Sequence, residues 1–317
     1  MGLTNKCNLN CAHCYSRALP IQSLTLGGVK KILADFPGLK KVNFGTGESI
    51  LNPELAEIMA HYRERGIEMA LTSNGTTIEA LSDEHLKWFK DVDISLDFPS
   101  SELHDRWRYP GAFGKAMAGL SRCTGLGINT SIALCLMNIN CQYLPQFKKI
   151  LDQFNVSLRI NLYKPTPTDK FSLNYDQFWD AMKSIAENFA LIANSEPILS
   201  IIDRSKIGKG SPCGGDSVRV HPDGTITPCV FLAGKKIGIE EFKKMKSKLP
   251  EFCRPCKSAG ECRGGCSSRR ILKDRHGLPD EYCPFYAGRE VPDIKFTYAK
   301  ERTEYIHAGY LCTMIIR

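Results

Sequence analysis

Residues 23 to about 165 alternate between short β-rich runs and amphipathic segments, and this alternation constrains the fold more than any other feature of the chain. In the amphipathic segments, apolar residues recur at three- and four-residue steps, as on one face of a helix. Regular strand and helix alternation predicts a parallel sheet with right-handed crossovers, either open or curved into a barrel. The predicted strands are residues 40–45, 67–73, 92–97, 128–137 and 156–163, and the predicted helical segments are 27–36, 53–66, 79–91, 114–122, 143–154 and 173–194.

The opening hexapeptide MGLTNK can supply the end of one more strand, which makes six strand–helix units. A closed barrel of this kind has eight units, so we predict an α/β fold with a partial (β/α)6 TIM-like barrel. Reacting groups in such folds lie where the strands end. Four stretches with chemically useful side chains follow successive predicted strands, and we expect them at one rim: the loop at 7–14, GTGES (45–49), SNGT (73–76) and SLDF (95–98).

The composition changes near residue 197. From residue 213 to 283 the chain is rich in Cys, Gly and Pro and shows little periodicity. Such a segment lacks the apolar content for a core of its own and is typical of one that depends on bound metal to fold. We therefore predict a barrel at 1–196, an irregular metal-dependent domain at 197–287 and a C-terminal tail at 288–317.

The 317-residue chain contains fourteen cysteines and has a net charge of +8. We find no secretion signal and no apolar run of the roughly 18 residues that span a bilayer. We therefore expect a cytoplasmic protein, with no membrane partner, whose cysteines bind metal rather than form disulfides. The basic run at 235–250 is either a solvated helix face or a docking patch for an acidic peptide or an electron-donor protein. Aromatic and basic residues do not interleave as on an RNA-binding surface, so no nucleic-acid partner is predicted.

Three cysteines, Cys7, Cys11 and Cys14, lie on one short loop near the start of the chain. Thiolates are soft ligands that suit iron–sulfur clusters and zinc. A cubane [4Fe-4S] cluster has four irons, so three cysteines leave one iron open to a substrate or cofactor. A zinc loop, or cysteines that share a loop by chance, is the alternative for this motif taken alone.

The spacing CxxxCxxC, with the aromatic His13 before its last cysteine, resembles the radical S-adenosylmethionine (AdoMet) enzymes. The resemblance implies a [4Fe-4S] cluster on the three cysteines and AdoMet at its open iron. In that family a Gly-Gly-Glu stretch after the second strand holds the methionine amino group. Here the matching residues are Thr46, Gly47 and Glu48, so threonine replaces the first glycine. By position, the resemblance also implies cofactor contacts from Ser95, Arg108 and Asn74, with Asn140 as a further polar residue near the site.

Seven later cysteines have the spacing C-x10-G-x4-C, C-x2-C-x5-C-x3-C and a final C. This arrangement is similar to the SPASM extension of one branch of radical AdoMet enzymes, and zinc is its main alternative. The resemblance implies two auxiliary [4Fe-4S] clusters, hence three in all. Auxiliary cluster I would use three cysteines, and its fourth iron would take water, substrate or a distant residue such as Cys312. The sets are Cys213, Cys229 and Cys266 for cluster I, and Cys253, Cys256, Cys262 and Cys283 for cluster II.

The resemblance implies an oxidoreductase that cleaves AdoMet reductively, abstracts hydrogen with the 5′-deoxyadenosyl radical and oxidises the substrate radical through the auxiliary clusters. We expect a peptide or protein substrate and a thioether or other crosslink, as in the maturation of ribosomal peptides. Val230 follows the second cysteine of the extension, where the sulfatase-activating branch has Asp, which argues against that branch. Six residues precede Cys7, so we expect a separate leader-binding protein to present the peptide, or a small substrate.

Two alternatives remain open. One is a radical dehydrogenase or decarboxylase that acts on a small molecule or a tetrapyrrole, and the other is a zinc-binding scaffold without enzymatic activity. In the enzymatic interpretations, a low-potential donor such as ferredoxin or flavodoxin supplies the electron. The sequence identifies no catalytic acid or base.

Overall fold

The computed structural model describes residues 1–17, 19–166, 168–202, 213–235, 237–299 and 313–317. Within these ranges the chain forms an eight-stranded sheet flanked by helices, together with a small two-stranded sheet. The strands are β1 (Lys41–Phe44), β2 (Glu68–Ser73), β3 (Phe89–Ser95), β4 (Asn129–Leu136), β5 (Ser157–Leu162), β6 (Ala190–Asn194), β7 (Arg219–Val220), β8 (Ile226–Thr227), β9 (Thr297–Tyr298) and β10 (Thr313–Ile316). The α-helices are α1 (Leu26–Asp35), α2 (Leu55–Glu64), α3 (Thr76–Ala80), α4 (Asp83–Leu86), α5 (Ser101–Trp107), α6 (Ala112–Gly125), α7 (Phe147–Phe154), α8 (Tyr175–Asn188), α9 (Ile239–Ser247), α10 (Ala259–Cys262) and α11 (Ser267–Leu272).

The five predicted strands are confirmed and form one parallel array in the order β1-β2-β3-β4-β5. Their apolar residues are almost continuous because helices cover the sheet, as parallel sheets require. Val42 pairs with Met69 and Ile94 pairs with Ile132, and all four side chains are buried. The parallel order brings the carboxyl ends of the strands to one rim, as the partial barrel predicts.

The opening hexapeptide lies beside β1 as an irregular segment rather than as a regular strand. The Gly45 amide donates to the Met1 carbonyl at 3.1 Å, and the Leu24 amide donates to the Leu3 carbonyl at 2.8 Å. Thr4 forms one isolated bridge with Ser23. The segment therefore occupies the place of the sixth strand–helix unit and delivers the cysteine loop to the rim.

β10 lies in the segment that we predicted as a C-terminal tail, and it inserts into the main sheet between β5 and β6. It runs antiparallel to both, with Met314 opposite Ile160 and Asn194. All four of its residues are buried, and β9 extends the same sheet beyond β6. The end of the chain thus completes the barrel sheet.

Two predicted helical segments are partly wrong. Residues 79–91 form two short helices, and β3 begins at Phe89. The Ser82 hydroxyl, which accepts from the His85 amide, caps α4 and separates it from α3. The second helical prediction, at 173–194, holds only as far as Asn188, because the following residues form β6 against β10. Pairing with a strand more than 100 residues away overrides the local helical pattern.

The irregular segment from residue 213 packs on the barrel through a few specific contacts. The rings of Tyr282 and Phe178 are stacked, with centroids 4.1 Å apart, and the Trp179 indole donates to the Tyr282 carbonyl at 3.1 Å. The buried Arg269 guanidinium forms ion pairs with Glu196 at 2.9 Å and with Asp280 at 2.5 Å. The apolar cluster within the segment itself is small: Cys213, Cys229, Val230, Leu232, Phe242 and Ile271.

The basic run at 235–250 contains α9, whose one buried residue is Phe242. The helix is therefore mostly exposed, which fits either a solvated face or a docking patch. Throughout the described part of the chain, every helix is too short or too polar to span a membrane.

Candidate active site

A cavity of about 960 Å³ opens at the rim where the parallel strands end. Ligand sites of this fold class occur at this position, and the volume is at the upper end of the range for small-molecule pockets. The cysteine loop, the segment after β1, the end of β5 and the segment 215–231 all contribute to its wall. The four rim stretches that the sequence predicts therefore all contribute to one cavity. Of SLDF, only Ser95 lines it.

Cys7, Cys11 and Cys14 all line this cavity. A turn holds the last two together, because the Cys14 amide donates to the Cys11 carbonyl at 3.2 Å. Partial burial, together with the nearby Glu48, Cys11 and Cys14, raises the pKa of the Cys7 thiol to about 11. Three soft thiols on one loop, facing a cavity, are a donor set that fits an iron–sulfur cluster.

His13 is buried between the cysteine loop and α5. Its ring stacks on Trp107 at 5.4 Å, and the Trp107 indole donates to His13 Nδ1 at 3.1 Å. Burial lowers the pKa of His13 to about 4, although Asp97 opposes this shift. Because Nδ1 accepts a hydrogen bond, the single proton of the neutral ring lies on Nε2, which is 3.6 Å from the Asp97 carboxylate.

Asp97 is a fully buried carboxylate that the sequence prediction did not include among the site residues. Its Oδ2 binds Arg108 Nε at 2.7 Å, and its Oδ1 accepts the Cys135 amide at 3.2 Å. Burial opposes ionisation, but the charge of Arg108 and its hydrogen bond hold the pKa of Asp97 well below its usual range. Asn140 is bonded to the Asp97 carbonyl at 3.0 Å, so it supports this loop and does not line the cavity. The one feature of the sequence that could have identified Asp97 is its position just after the end of β3, which is Ser95.

Thr46 and Gly47 bring the backbone after β1 close to the opening segment. Both have positive φ, 144° and 60°, which is the region that favours glycine. The Thr46 hydroxyl bonds to the Tyr15 hydroxyl at 2.8 Å. A Cβ on Gly47 would lie 2.6 Å from the Thr4 carbonyl oxygen, so only glycine fits there.

Glu48 lines the cavity but already has several protein partners. Its carboxylate accepts from the Ser73 hydroxyl at 2.5 Å, from the Asn74 amide at 3.0 Å and from the Thr77 amide at 2.7 Å, and the Thr77 hydroxyl also donates to it. A carboxylate has about four acceptor positions. The side chain therefore fixes the loop after β2, and a ligand ammonium would have to displace one of these donors.

Asn74 and Ser95, two further predicted residues, both line the cavity. The Asn74 side-chain amide donates to Asn8 Oδ1 at 3.0 Å and lies 3.7 Å from the Cys7 sulfur. This predicted cofactor-binding residue therefore contacts the cysteine loop directly.

The end of β5 adds polar residues that the sequence prediction missed. Arg159, Asn161 and Tyr163 alternate along the strand and face the cavity, followed by Lys164. Asp93 holds Arg159 at 2.5 Å, and the Lys164 ammonium is buried 5.9 Å from the Phe231 ring. The feature of the sequence that could have identified these residues is RINLYK, in which polar and apolar residues alternate at the end of an otherwise apolar strand.

The segment 215–231 forms another part of the cavity wall. Phe231 packs edge-on against Tyr15 at 5.5 Å, which ties this segment to the cysteine loop. Cys229 lines the same cavity as Cys7, Cys11 and Cys14. One member of the predicted auxiliary set therefore faces the space that the first three cysteines face.

The seven later cysteines lie in two groups, and their assignment to two clusters stays a prediction. A hydrogen bond from Cys213 lowers the pKa of Cys229 against the effect of burial, and the nearby Cys266 raises it, so these three thiols lie together. A second, smaller cavity is lined by the other four, Cys253, Cys256, Cys262 and Cys283. Cys312 lies outside the described residues. Within the described ranges, no three His, Cys, Asp or Glu side chains are close enough to hold a single metal ion.

Residues 1–149 match the model of the Radical SAM superfamily. Mycofactocin maturase MftC of Mycobacterium ulcerans is 24% identical over 316 residues, which cover 87% of this chain and 84% of that protein. Fe-coproporphyrin III synthase of Methanosarcina barkeri is 28% identical over 233 residues, 70% of this chain and 55% of the synthase. The structure of native anSMEcpe with bound AdoMet and the Kp18Cys peptide superposes with a TM-score of 0.68 at 19% identity, covering 90% of this chain and 93% of that one.

Residues 1–149 of this chain are thus similar to the radical SAM superfamily, and the similarity to MftC extends over 87% of the chain. The partial barrel is the fold that this chain shares with the solved structure of anSMEcpe. The family model ends at residue 149, so Lys164, Cys229 and the auxiliary cysteines lie beyond the segment that it describes. The chain spans about half the length of the synthase that it matches.

Proposed function

We propose that this radical SAM enzyme cleaves AdoMet reductively and uses the resulting radical to oxidise a peptide, with the second electron leaving through auxiliary clusters. One observation carries the proposal: Cys7, Cys11 and Cys14 line the same cavity as Cys229. A substrate bound in that cavity contacts both the site of radical formation and an electron acceptor.

In this proposal Cys7, Cys11 and Cys14 hold a [4Fe-4S] cluster with one open iron. When bound, the cluster supplies the electron that splits AdoMet into methionine and a 5′-deoxyadenosyl radical. The protein's task is to orient AdoMet and exclude water. The contact of Asn74 with Cys7, and that of the adjoining Tyr15 with Thr46, hold the loop in place for the first of these tasks.

Arg108 is the AdoMet ligand best supported by geometry. It lines the cavity, and Asp97 fixes its Nε at 2.7 Å. A guanidinium suits a carboxylate through paired hydrogen bonds, so we assign Arg108 to the methionine carboxylate. Ser95 and Asn74 contribute further polar contacts, and the neutral His13 keeps the loop packed against α5.

The auxiliary clusters are assigned by thiol count. Cys253, Cys256, Cys262 and Cys283 ligate cluster II completely. Cys213, Cys229 and Cys266 leave one position of cluster I to water, substrate or a residue outside the described ranges. Cluster I therefore has an open position, and its ligand Cys229 faces the cavity. A substrate bound in the cavity is placed to take that open position.

The peptide assignment is supported by two relatives: MftC is a maturase, and anSMEcpe binds a peptide together with AdoMet. A thioether or other crosslink fits this assignment because it is a net two-electron oxidation. A separate leader-binding protein and a ferredoxin or flavodoxin are the proposed partners, and the cytoplasm is the proposed compartment.

A tetrapyrrole substrate is the second candidate. The relative from Methanosarcina barkeri is named a coproporphyrin synthase, and the cavity is large enough for a ligand at the upper end of the small-molecule range. The basic side chains Arg159 and Lys164 would face the carboxylates of such a ligand.

Anaerobic reconstitution with iron and sulfide tests the proposal. We expect about twelve irons per chain, as three [4Fe-4S] clusters require, and 5′-deoxyadenosine after addition of AdoMet and dithionite. Mass spectrometry then separates the substrates: a crosslinked peptide encoded near the gene loses two hydrogens, whereas a tetrapyrrole substrate yields a coproporphyrin as the product. A zinc-loaded protein that forms no 5′-deoxyadenosine would refute the proposal.

A further inference from the structure

Two buried basic side chains, Arg219 and Lys164, line the active-site cavity and are not needed to bind AdoMet in the function proposed above. They come from distant parts of the chain, because Lys164 follows β5 and Arg219 begins β7. Lys164 is 2% exposed and Arg219 is 7% exposed. Lysine and arginine are rarely buried to this degree unless a counter-charge faces them. The cavity wall therefore contains two cations whose burial calls for an explanation.

Arg219 is anchored to the loop that follows β1, but part of its guanidinium is left without a partner. Its Nη2 donates to the Gly45 carbonyl. Its Nε is buried and has no hydrogen-bond partner in the described part of the chain. Burying a charge is costly unless it is paired and hydrogen-bonded, and a backbone carbonyl carries no net charge. A ligand anion in the cavity would supply both the missing charge and the missing acceptor.

The other charged side chains that line the cavity do not supply this counter-charge. Arg108 and Arg159 each pair with a buried aspartate, at 2.7 and 2.5 Å. The Glu48 carboxylate already accepts four hydrogen bonds from protein donors. Four further lining groups are exposed to solvent, two of each sign: Asp35, Lys40, Lys41 and Asp216. No carboxylate among these lining groups is thus left for Arg219.

A continuous line of contacts connects the two buried cations. The Lys164 ammonium lies 5.9 Å from the Phe231 ring, which packs edge-on against Tyr15 at 5.5 Å. The Tyr15 hydroxyl bonds to Thr46 at 2.8 Å, and Arg219 donates to the carbonyl of the residue before Thr46. An aromatic pair therefore lies between the two cations along this line of contacts. The arrangement offers an apolar surface next to groups that attract an anion.

We propose that Arg219 and Lys164 bind a carboxylate of the substrate and so select substrates that carry one. This inference rests on the proposed function, in which both candidate substrates offer the group: a peptide through its C-terminus or an acidic side chain, and a tetrapyrrole through its carboxylate side chains. Arginine presents a rigid fork of donors that matches a carboxylate, and lysine adds a compact charge. The subsite positions the substrate and not AdoMet, whose carboxylate is assigned to Arg108.

The affinities of matched acidic and neutral ligands for the reconstituted enzyme with AdoMet, measured by calorimetry, test the subsite. Three pairs of probes separate the sources of the carboxylate. They are a peptide encoded near the gene with a C-terminal acid or amide, the same peptide with its acidic side chains or with the corresponding amides, and coproporphyrin or its tetramethyl ester. In one pair, the acid should bind at least about tenfold more tightly than its neutral partner, as one charge-assisted hydrogen bond requires. If no pair shows this acid preference, the proposal is overturned.

Two variants test the residues separately. Arg219→Gln removes the charge but keeps a side-chain amide for the Gly45 carbonyl, and Lys164→Met removes the ammonium but keeps an unbranched chain. Each should lower the acid preference about tenfold. Lys41→Met is the matched control, because Lys41 lines the same cavity but is exposed and pairs with Glu68 at 3.2 Å. The control should keep the wild-type acid preference, and the same preference in both test variants would overturn the proposal.

The ratio of the two affinities separates substrate binding from a structural role. A variant that only loosens the loop at Gly45 weakens the acid and its neutral partner equally, which leaves the ratio unchanged and defeats the assignment. Weaker AdoMet binding at an unchanged ratio would show that Arg219 serves the cofactor instead. A shifted reduction potential of cluster I at an unchanged ratio would show that Lys164 serves that cluster. Both results would overturn the subsite.

The wild-type enzyme distinguishes a failure of this inference from a failure of the proposed function. If it forms no 5′-deoxyadenosine after reduction with dithionite, the proposed function fails. If it forms 5′-deoxyadenosine and modifies a probe without preferring the acid over its neutral partner, only the carboxylate subsite fails.

Discussion

The barrel site and the auxiliary region hold their cysteines in different ways. Cys7, Cys11 and Cys14 lie on a loop whose position is set by a large apolar core and by the ends of parallel strands. The auxiliary cysteines lie in a segment with a small apolar cluster, where the buried Arg269 joins Asp280 to Glu196. The barrel is thus stabilised mainly by burial of apolar surface, and the auxiliary region by ion pairs and, once loaded, by its metal centres.

The largest expected effect comes from breaking the Arg269 network. Arg269→Met leaves Glu196 and Asp280 buried without their shared cation, and losing one partner of a buried pair costs about 3–5 kcal/mol. Chemical denaturation should show this loss. Arg289→Met is the control, since its pair with Asp176 is exposed and worth about 0–1 kcal/mol. Similar losses of unfolding free energy in Arg269→Met and Arg289→Met would contradict the stabilisation of the auxiliary region by its buried ion pairs.

Asp97→Asn is the corresponding change in the barrel. It removes the charge partner of Arg108 while keeping the shape of the side chain, so we expect a loss of about 3 kcal/mol in the free energy of unfolding. AdoMet should bind about tenfold more weakly, because Arg108 is no longer fixed at the cavity. Glu102→Gln, in an exposed pair with Arg106, should change neither quantity. Normal AdoMet affinity in Asp97→Asn would show that Arg108 needs no positioning.

Stability should fall as the pH drops from about 6.5 to about 4. Burial lowers the pKa of His104 and of His221 to about 4, so in this window the unfolded chain binds protons that the folded chain does not. A tenfold difference in proton affinity between the folded and unfolded chain corresponds to about 1.4 kcal/mol. His104→Gln in the barrel and His221→Gln beside the auxiliary region should each reduce the slope of stability against pH. If neither variant changes the slope of stability against pH, these two histidines are not the cause of the pH dependence.

The smallest expected effect is that of Tyr15→Phe, at the junction of the two regions. The change removes the hydroxyl that bonds to Thr46 and keeps the ring that packs on Phe231. We expect a loss of about 1 kcal/mol in the free energy of unfolding, the net value of one hydrogen bond. A much larger loss would mean that the polar contact, rather than ring packing, joins the two regions.

The sequence predicts the five parallel strands correctly because their apolar runs and flanking helices are local patterns. It does not predict β10, whose partners lie more than 100 residues away along the chain. Similarly, the grouping of the auxiliary cysteines comes only from the resemblance to the SPASM extension. Asp97 gains its partners Arg108, His13 and Cys135 only when α5 and β4 pack around it. Side-chain networks that join several elements leave little signal in a single sequence.

The most direct test compares two cysteine substitutions, one in each region. Cys14→Ser and Cys229→Ser are reconstituted anaerobically and reduced with dithionite, and 5′-deoxyadenosine is measured after addition of AdoMet. We predict none from Cys14→Ser, because the cluster has lost one of its three protein ligands, and near wild-type amounts from Cys229→Ser, because Cys229 acts only after AdoMet is cleaved. Formation by Cys14→Ser, or complete loss in Cys229→Ser, would contradict this prediction.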